Sequence, residues 1–246
     1  MATREIQIKE NAAALNEAAA ELFIRIAQEA IDQHKWFSVA LSGGSTPRSL
    51  YSLLASESYS SAIDWSRVSF FFGDERNVPP DSDESNYRMA HETLLGPLGI
   101  NAKQVHRWRT ELPDIDDAAR SYEADLRNYL DRSKRGLDLV LLGLGDDAHT
   151  ASLFPHSPAL REKERLAVVN PVEKLHADRL TMTFPAINSA VNIMFLVSGK
   201  GKSEAVASVL EAEHNPDQYP AQSVQPDNGR LYWLVDKDAA ADLKSK

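Results

Sequence analysis

Short apolar runs alternate with amphipathic stretches along nearly the whole chain, and this alternation restricts the fold more than any other feature. The runs are Trp36 to Leu41, Val68 to Phe72, Leu139 to Leu142, Asn192 to Val197 and Leu231 to Val235. Each is too short for a helix and apolar enough for a strand buried on both faces of a parallel sheet. Residues 5 to 8 alternate as a further short strand, and Leu166 to Asn170 and Leu180 to Thr183 are additional strand candidates. Between them, residues 11 to 33 carry Leu15, Ala19, Leu22, Phe23, Ile26 and Ala30 at helical spacing. Helices are also expected over Tyr87 to Leu95, over Ile115 to Asp131 with Ala119, Tyr122, Leu126 and Tyr129 on one face, and from about Ser203 to Ala212. Asp236 is read as the cap of a terminal helix. Strand–helix alternation of this kind predicts a doubly wound α/β/α sandwich, Rossmann-like, with a mostly parallel sheet. No repeat, low-complexity segment or linker divides residues 1–246, so one domain is expected.

The run Leu139 to Leu142 ends in Gly143 and Gly145, followed by Asp146, Asp147, His149, Thr150 and Ser152. Ligands of open α/β sheets bind at the carboxyl ends of strands, so this polar cluster stands where chemistry is expected. Gly143 to Ala148 also fits a G-x-G-x-x-A dinucleotide pattern, but its two carboxylates would crowd a pyrophosphate. His149 is the one residue here whose unperturbed pKa lies near neutrality. From the loop alone it is equally a general base or a helix-start histidine bonded to a carbonyl. His149 and His156 lie seven apart with no cysteine nearby, which is not a zinc pattern.

Ser42-Gly43-Gly44-Ser45-Thr46-Pro47 follows another strand directly. The glycines permit close backbone approach, Thr46 is a good N-cap, and Pro47 suits a first helical position. We read this turn as an anion cradle rather than a plain strand–helix turn. It is not a Walker loop. Gly201-Lys202-Ser203 has the tail of that motif, but Leu196 stands where the upstream glycine is required. Gly73-Asp74-Glu75-Arg76 ends a third strand and opens a long polar loop to Asn86, a length often associated with function. Arg76 either clamps a phosphate or pairs with Asp74 or Glu75. Lys200 and Lys202 precede a helix start, an unfavourable place for cations unless an anion binds there.

A formal charge of −9 argues against a nucleic-acid surface. It also requires any site for an anionic ligand to gather positive charge locally. The chain lacks cysteine, which excludes disulfides and thiol catalysis and suits a reducing compartment. No signal-peptide core or membrane-length apolar run is present, so a cytoplasmic protein without membrane contact is expected.

Together these segments resemble the 6-phosphogluconolactonase family across nearly the whole chain. The resemblance rests on Leu41 to Pro47, on Gly73 to Arg76 with Val78-Pro79 and Ser85-Asn86-Tyr87, and on Gly143 to Pro155. Arg179 to Thr183 with Pro185 to Asn188, and Val197 to Lys202, complete it. The second and third segments are the most specific. The first is shared with glucosamine-6-phosphate deaminases, which look like relatives of the same fold. The resemblance implies hydrolysis of 6-phospho-D-glucono-1,5-lactone in the oxidative pentose phosphate pathway, with no metal and no organic cofactor. It places His149 as general base, Asp147 as its orienting partner and Arg179 among the catalytic residues. Ser42, Gly43, Gly44, Ser45 and Thr46, with Arg76 and Lys202, would bind the phosphate of a small-molecule sugar-phosphate lactone. A monomer is favoured. The competing readings are a deaminase or isomerase on the same fold, and a non-catalytic sugar-phosphate sensor, for which no output segment is evident. One departure stands out: the family usually has Asp-Gly-His where this chain has Asp147-Ala148-His149, and a positive φ there would strain alanine. His156 likewise stands where the family often has glycine.

Overall fold

The computed structural model describes residues 3–244. Six strands form the main sheet: β1 (Thr3–Lys9), β2 (Phe37–Leu41), β3 (Val68–Phe72), β5 (Leu139–Leu142), β8 (Asn192–Val197) and β9 (Arg230–Asp236). Their order is β1-β9-β8-β5-β2-β3, and every pair is parallel. All residues of β2, β5 and β8 are buried, which explains why these strands read as near-continuous apolar runs, broken only by Ser38 and Asn192, rather than as alternating ones. From β2 the chain builds outward to β3 and later resumes on the other side of β2 with β5. The topological switch point therefore falls between β2 and β5, and a crevice opens beyond their carboxyl ends.

The longest helix, α1 (Ala12–His34), is capped by Asn11, whose side chain accepts from the Ala14 N–H, and ends at Lys35 in the left-handed region. Leu15, Ala19, Leu22, Phe23, Ile26 and Ala30 are buried on it, as their spacing predicts. Burial of side chains such as Leu22 or Phe23 contributes roughly 1.5–3 kcal/mol each. The remaining helices are α2 (Ser45–Leu54), α3 (Asn86–Ala90), α4 (Ile115–Ser133), α5 (Phe184–Asn188) and α6 (Ser203–Glu211). One contiguous apolar core runs from Leu15 to Leu243.

The structure corrects several local expectations. The strands expected near 166–170 and 180–183 do not join the main sheet. They are β6 (Ala167–Val172) and β7 (Ala177–Met182), an antiparallel hairpin that pairs with β4 (Asp74–Arg76) in a second, three-stranded sheet. Pro171 fits there because β6 is an edge strand. Helix α2 starts two residues earlier than expected: Gly44, at φ 104°, is its N-cap, and Thr46 and Pro47 lie inside its first turn. The helix after Tyr87 breaks at Ala90 into a π-type turn, His91–Leu95, in which the Gly96 N–H reaches back to the His91 carbonyl. Asp236 accepts from the Ala239 N–H but also from Ser198 and Gly199. It therefore ties the end of β9 to that of β8 and caps a turn, not a helix.

Candidate active site

A cleft of about 450 Å³ lies over the carboxyl ends of β2, β5 and β8. It brings together Ser42, Gly43, Gly44, Ser45 and Thr46, Arg76, Asp147 and His149, Arg179 and Lys202, whereas Lys200 does not line it.

The β5 loop supplies the acid–base pair. His149 Nδ1 lies 2.6 Å from Asp147 Oδ1, and the other carboxylate oxygen accepts from Lys174 Nζ at 2.9 Å. Asp147 is bonded through both oxygens, so the imidazole is held with its Nδ1–H toward the carboxylate. Nε2 has no hydrogen-bond partner among the described residues. Burial pushes the Asp147 carboxyl up, but the His149 and Lys174 hydrogen bonds prevail and hold it well below the usual carboxylate range. The ring stacks on Phe154, with centroids 4.0 Å apart. Gly145 is required beneath it: a Cβ there would stand 2.0 Å from His149 Nδ1. The Gly145 N–H donates to the His149 carbonyl, and Thr150 Oγ1 donates to the Gly143 carbonyl, which closes the loop on itself. His149 therefore opens no helix; the helix-start reading does not hold. Ala148 sits at φ 62°, the left-handed region that the family glycine would enter freely, and His156 is also at φ 62°.

The β2 loop supplies the cradle. The N–H groups of Gly44, Ser45 and Thr46 sit at the start of α2 and lack intrahelical acceptors. Gly43 is required because Asn86 packs directly on it; a Cβ would stand 2.0 Å from Asn86 Oδ1. Glu75 brings Asn86 there. Its buried carboxylate accepts from the N–H groups of Arg76, Asn86 and Tyr87 and from the Ser85 hydroxyl. The polar loop from Asn77 onward is thus folded back onto the cleft wall.

Besides Lys174, three cations face the cleft. Arg76 and Arg179 are opposite each other in the β4–β7 register. Arg76 pairs with neither Asp74 nor Glu75 through its side chain; it donates to the Glu84 carbonyl at 2.7 Å. Arg179 and Lys202 make no side-chain hydrogen bond or ion pair among the described residues. Burial and the Arg76 charge both push the Arg179 guanidinium below its ordinary value. Two adjacent guanidiniums without a carboxylate between them are a poor arrangement unless an anion is bound. No group of three or more His, Cys, Asp or Glu among the described residues is arranged to hold a metal.

Sequence reasoning missed Lys174 and gave Asn86 and Ser152, though both stand in its motifs, no role. Lys174 lies 27 residues from Asp147 on the turn of the β6–β7 hairpin, and no local pattern marks it. Ser152 donates to Asp74 at 2.7 Å and Asn86 to the same carboxylate at 3.2 Å, so Asp74 is an internal strut of the cleft wall.

Comparison with known proteins fits this architecture. Residues 10–233 match the family described as glucosamine-6-phosphate isomerases/6-phosphogluconolactonase, and the chain belongs to that family. Within it, the chain is 41% identical over 219 residues to a 6-phosphogluconolactonase of Synechocystis sp., covering 88% of each protein. It is 37% identical to a 6-phosphogluconolactonase of Nostoc sp., over 98% of each. The solved 6-phosphogluconolactonase from Trypanosoma cruzi superposes with a TM-score of 0.86 at 29% identity, covering 99% of this chain and 98% of that one.

Proposed function

We propose that this protein hydrolyses 6-phospho-D-glucono-1,5-lactone to 6-phospho-D-gluconate, using His149 as general base. The observation that carries the mechanism is an imidazole oriented through Nδ1 by Asp147, with Nε2 unpartnered, in a cleft where Arg76, Arg179 and Lys202 pair with no carboxylate among the described residues. A lactone is an activated ester, so one positioned base and water are sufficient to open it. Nε2 takes a proton from water as the water oxygen bonds to C1. When the tetrahedral intermediate collapses, the bond from C1 to the ring oxygen breaks and Nε2 returns the proton to that oxygen. Asp147 stabilises the transient imidazolium, and Lys174 fixes Asp147 in place. Arg179 is assigned to the oxyanion that develops on the carbonyl oxygen. The cradle of Ser42 to Thr46, with Arg76 and Lys202, is assigned to the phosphate. No step in this scheme calls for a metal or an organic cofactor.

The lack of cysteine suits a cytoplasmic reaction, and among the described residues no helix is long and apolar enough to cross a membrane. One continuous core supports a single domain. The family also includes isomerases, and a coupled assay on glucosamine 6-phosphate separates the two chemistries. The decisive test is His149→Ala. A general base is typically worth ~10²–10⁴-fold. We expect kcat to fall by that order, 6-phosphogluconate binding to persist, and the acid limb of the rate profile to vanish. Rates are taken on fresh lactone after subtracting spontaneous hydrolysis. A destabilised variant with near-normal kcat would reduce His149 to a structural role.

A further inference from the structure

The two edges of the main sheet are finished differently. At the β3 edge, Val105 forms a parallel bridge with Phe70, and the His106 N–H donates to the Phe70 carbonyl. At the β1 edge, no strand among the described residues pairs on the outer side. Five of its seven residues are exposed and Gln7 and Lys9 are half-buried, with Ile6 at 39% and Ile8 at 38% exposure. Long uncovered edges with apolar side chains are templates for another strand.

The backbone shows which groups are on offer. The Thr3 N–H donates inward to the Gly229 carbonyl, and the Lys9 carbonyl accepts inward from the Lys237 N–H. Odd-numbered residues therefore turn their peptide groups toward β9, and Arg4, Ile6 and Ile8 turn theirs outward. An antiparallel partner must match those even positions. When β1 is paired with itself about Gln7, Ile6 faces Ile8 of the second copy, with both N–H···O bonds exchanged. Glu5 then faces Lys9, Arg4 faces Glu10 just past the strand end, and Gln7 faces Gln7 on the axis. Every charge meets its opposite. Pairing about Ile6 instead places Arg4 against Ile8 and Glu5 against Gln7, which loses every charge pair.

We propose that the β1 edge is a self-association surface, on which a second copy of this chain adds its own β1 antiparallel, centred on Gln7, to join the two sheets into one. The contact is isologous and closes as a two-fold dimer. It departs from the monomer that the sequence favours, because an uncovered edge becomes visible only once strand order is known. It is independent of the lactonase reading, since no β1 residue lines the cleft.

The test is sedimentation equilibrium on the full chain with three variants. The wild type should show a concentration-dependent dimer. Ile6→Pro deletes an outward N–H but no bond to β9, and proline is tolerated on edge strands in that orientation. It should be monomeric with turnover unchanged. Glu5→Lys sets like charges against Lys9 twice per dimer and should weaken association on the order of tenfold. Adding Lys9→Glu to that variant should restore association. A wild type that stays monomeric at high concentration overturns the proposal. So does a dimer indifferent to Ile6→Pro, or a charge swap without rescue. The charge variants keep the test decisive if the proline variant fails to fold.

Discussion

Ala148 offers a quantitative test of how the His149 loop is held. It is 1% exposed, lies at φ 62°, donates to the Gly145 carbonyl and accepts from the Ala221 N–H at 3.1 Å. Replacing it with glycine changes three terms. Left-handed strain of about 1–2 kcal/mol is relieved. A buried methyl group worth about 0.8 kcal/mol is lost. The unfolded chain gains freedom worth about 0.4–1 kcal/mol. The opposing terms nearly cancel, so Ala148→Gly should change stability by less than about 1 kcal/mol, or roughly 2–4 °C in Tm for a chain of this size. Because the alanine already holds the conformation that glycine would adopt, the bond from His149 to Asp147 is formed in both, and kcat should be unchanged. Ala148→Val tests the same idea from the other side. A β-branched residue at positive φ adds strain, and the melting temperature should drop well beyond that of the glycine variant. Thermal melts and turnover on the same preparations decide it. A glycine variant that loses several kcal/mol, or whose kcat rises severalfold, would refute the reasoning. The first outcome would show that the methyl group is a packing element; the second, that alanine displaces the base.

Other outcomes follow from the site geometry. Arg76→Ala and Lys202→Ala should each raise KM by roughly ten- to a hundredfold, since a charge-assisted contact is worth about 1.5–3 kcal/mol; Arg179→Ala should act mainly on kcat, and steady-state kinetics separate the two patterns. Lys174→Met removes the second donor on Asp147 and leaves the carboxylate to the imidazole alone; the acid limb of kcat/KM should move to higher pH, with KM little changed, and a raised KM would instead make Lys174 a substrate contact. Asp147→Asn bears on stability. The carboxyl is held below its ordinary value in the fold, so its contribution is complete above the unfolded value of ~3.9 and is lost as pH falls below it. Urea titrations of wild type and variant should therefore converge in acid and stay a constant distance apart near neutrality.

The chain discloses its parallel core because a strand buried on both faces must be apolar at nearly every position, and Leu139 to Leu142 or Asn192 to Val197 satisfy that locally. Asp147 and His149 are legible for a similar reason: both lie on one loop, two residues apart, and the loop's glycine is fixed by the ring above it. Residues that act across sheets are not legible. Lys174 meets Asp147 only because the β6–β7 hairpin folds back over β5, and the short runs that form this hairpin look like members of the main sheet. The start of α2 is not legible because Thr46 and Pro47 carry strong capping preferences, whereas Gly44 at φ 104° ends the turn two residues sooner.

The acidic composition poses a harder problem, since the proposed substrate carries a phosphate near −2 at neutral pH. The structure deals with it by occupying its own carboxylates rather than by adding bases. Asp74 is tied by Ser152 and Asn86, Glu75 by three peptide N–H groups and Ser85, and Asp147 by His149 and Lys174. Asp146 is exposed, where water screens it. None of these pairs consumes Arg179 or Lys202, and Arg76 spends one donor on a neutral carbonyl. The cleft therefore presents unpaired guanidinium, ammonium and peptide N–H groups at short range while the chain as a whole carries −9. At separations shorter than a Debye length of about 8 Å, the local pattern prevails over the net charge. Binding of 6-phosphogluconate should accordingly weaken as salt is raised even though protein and ligand are both anions, and binding that strengthens with salt would mean that the net charge dominates.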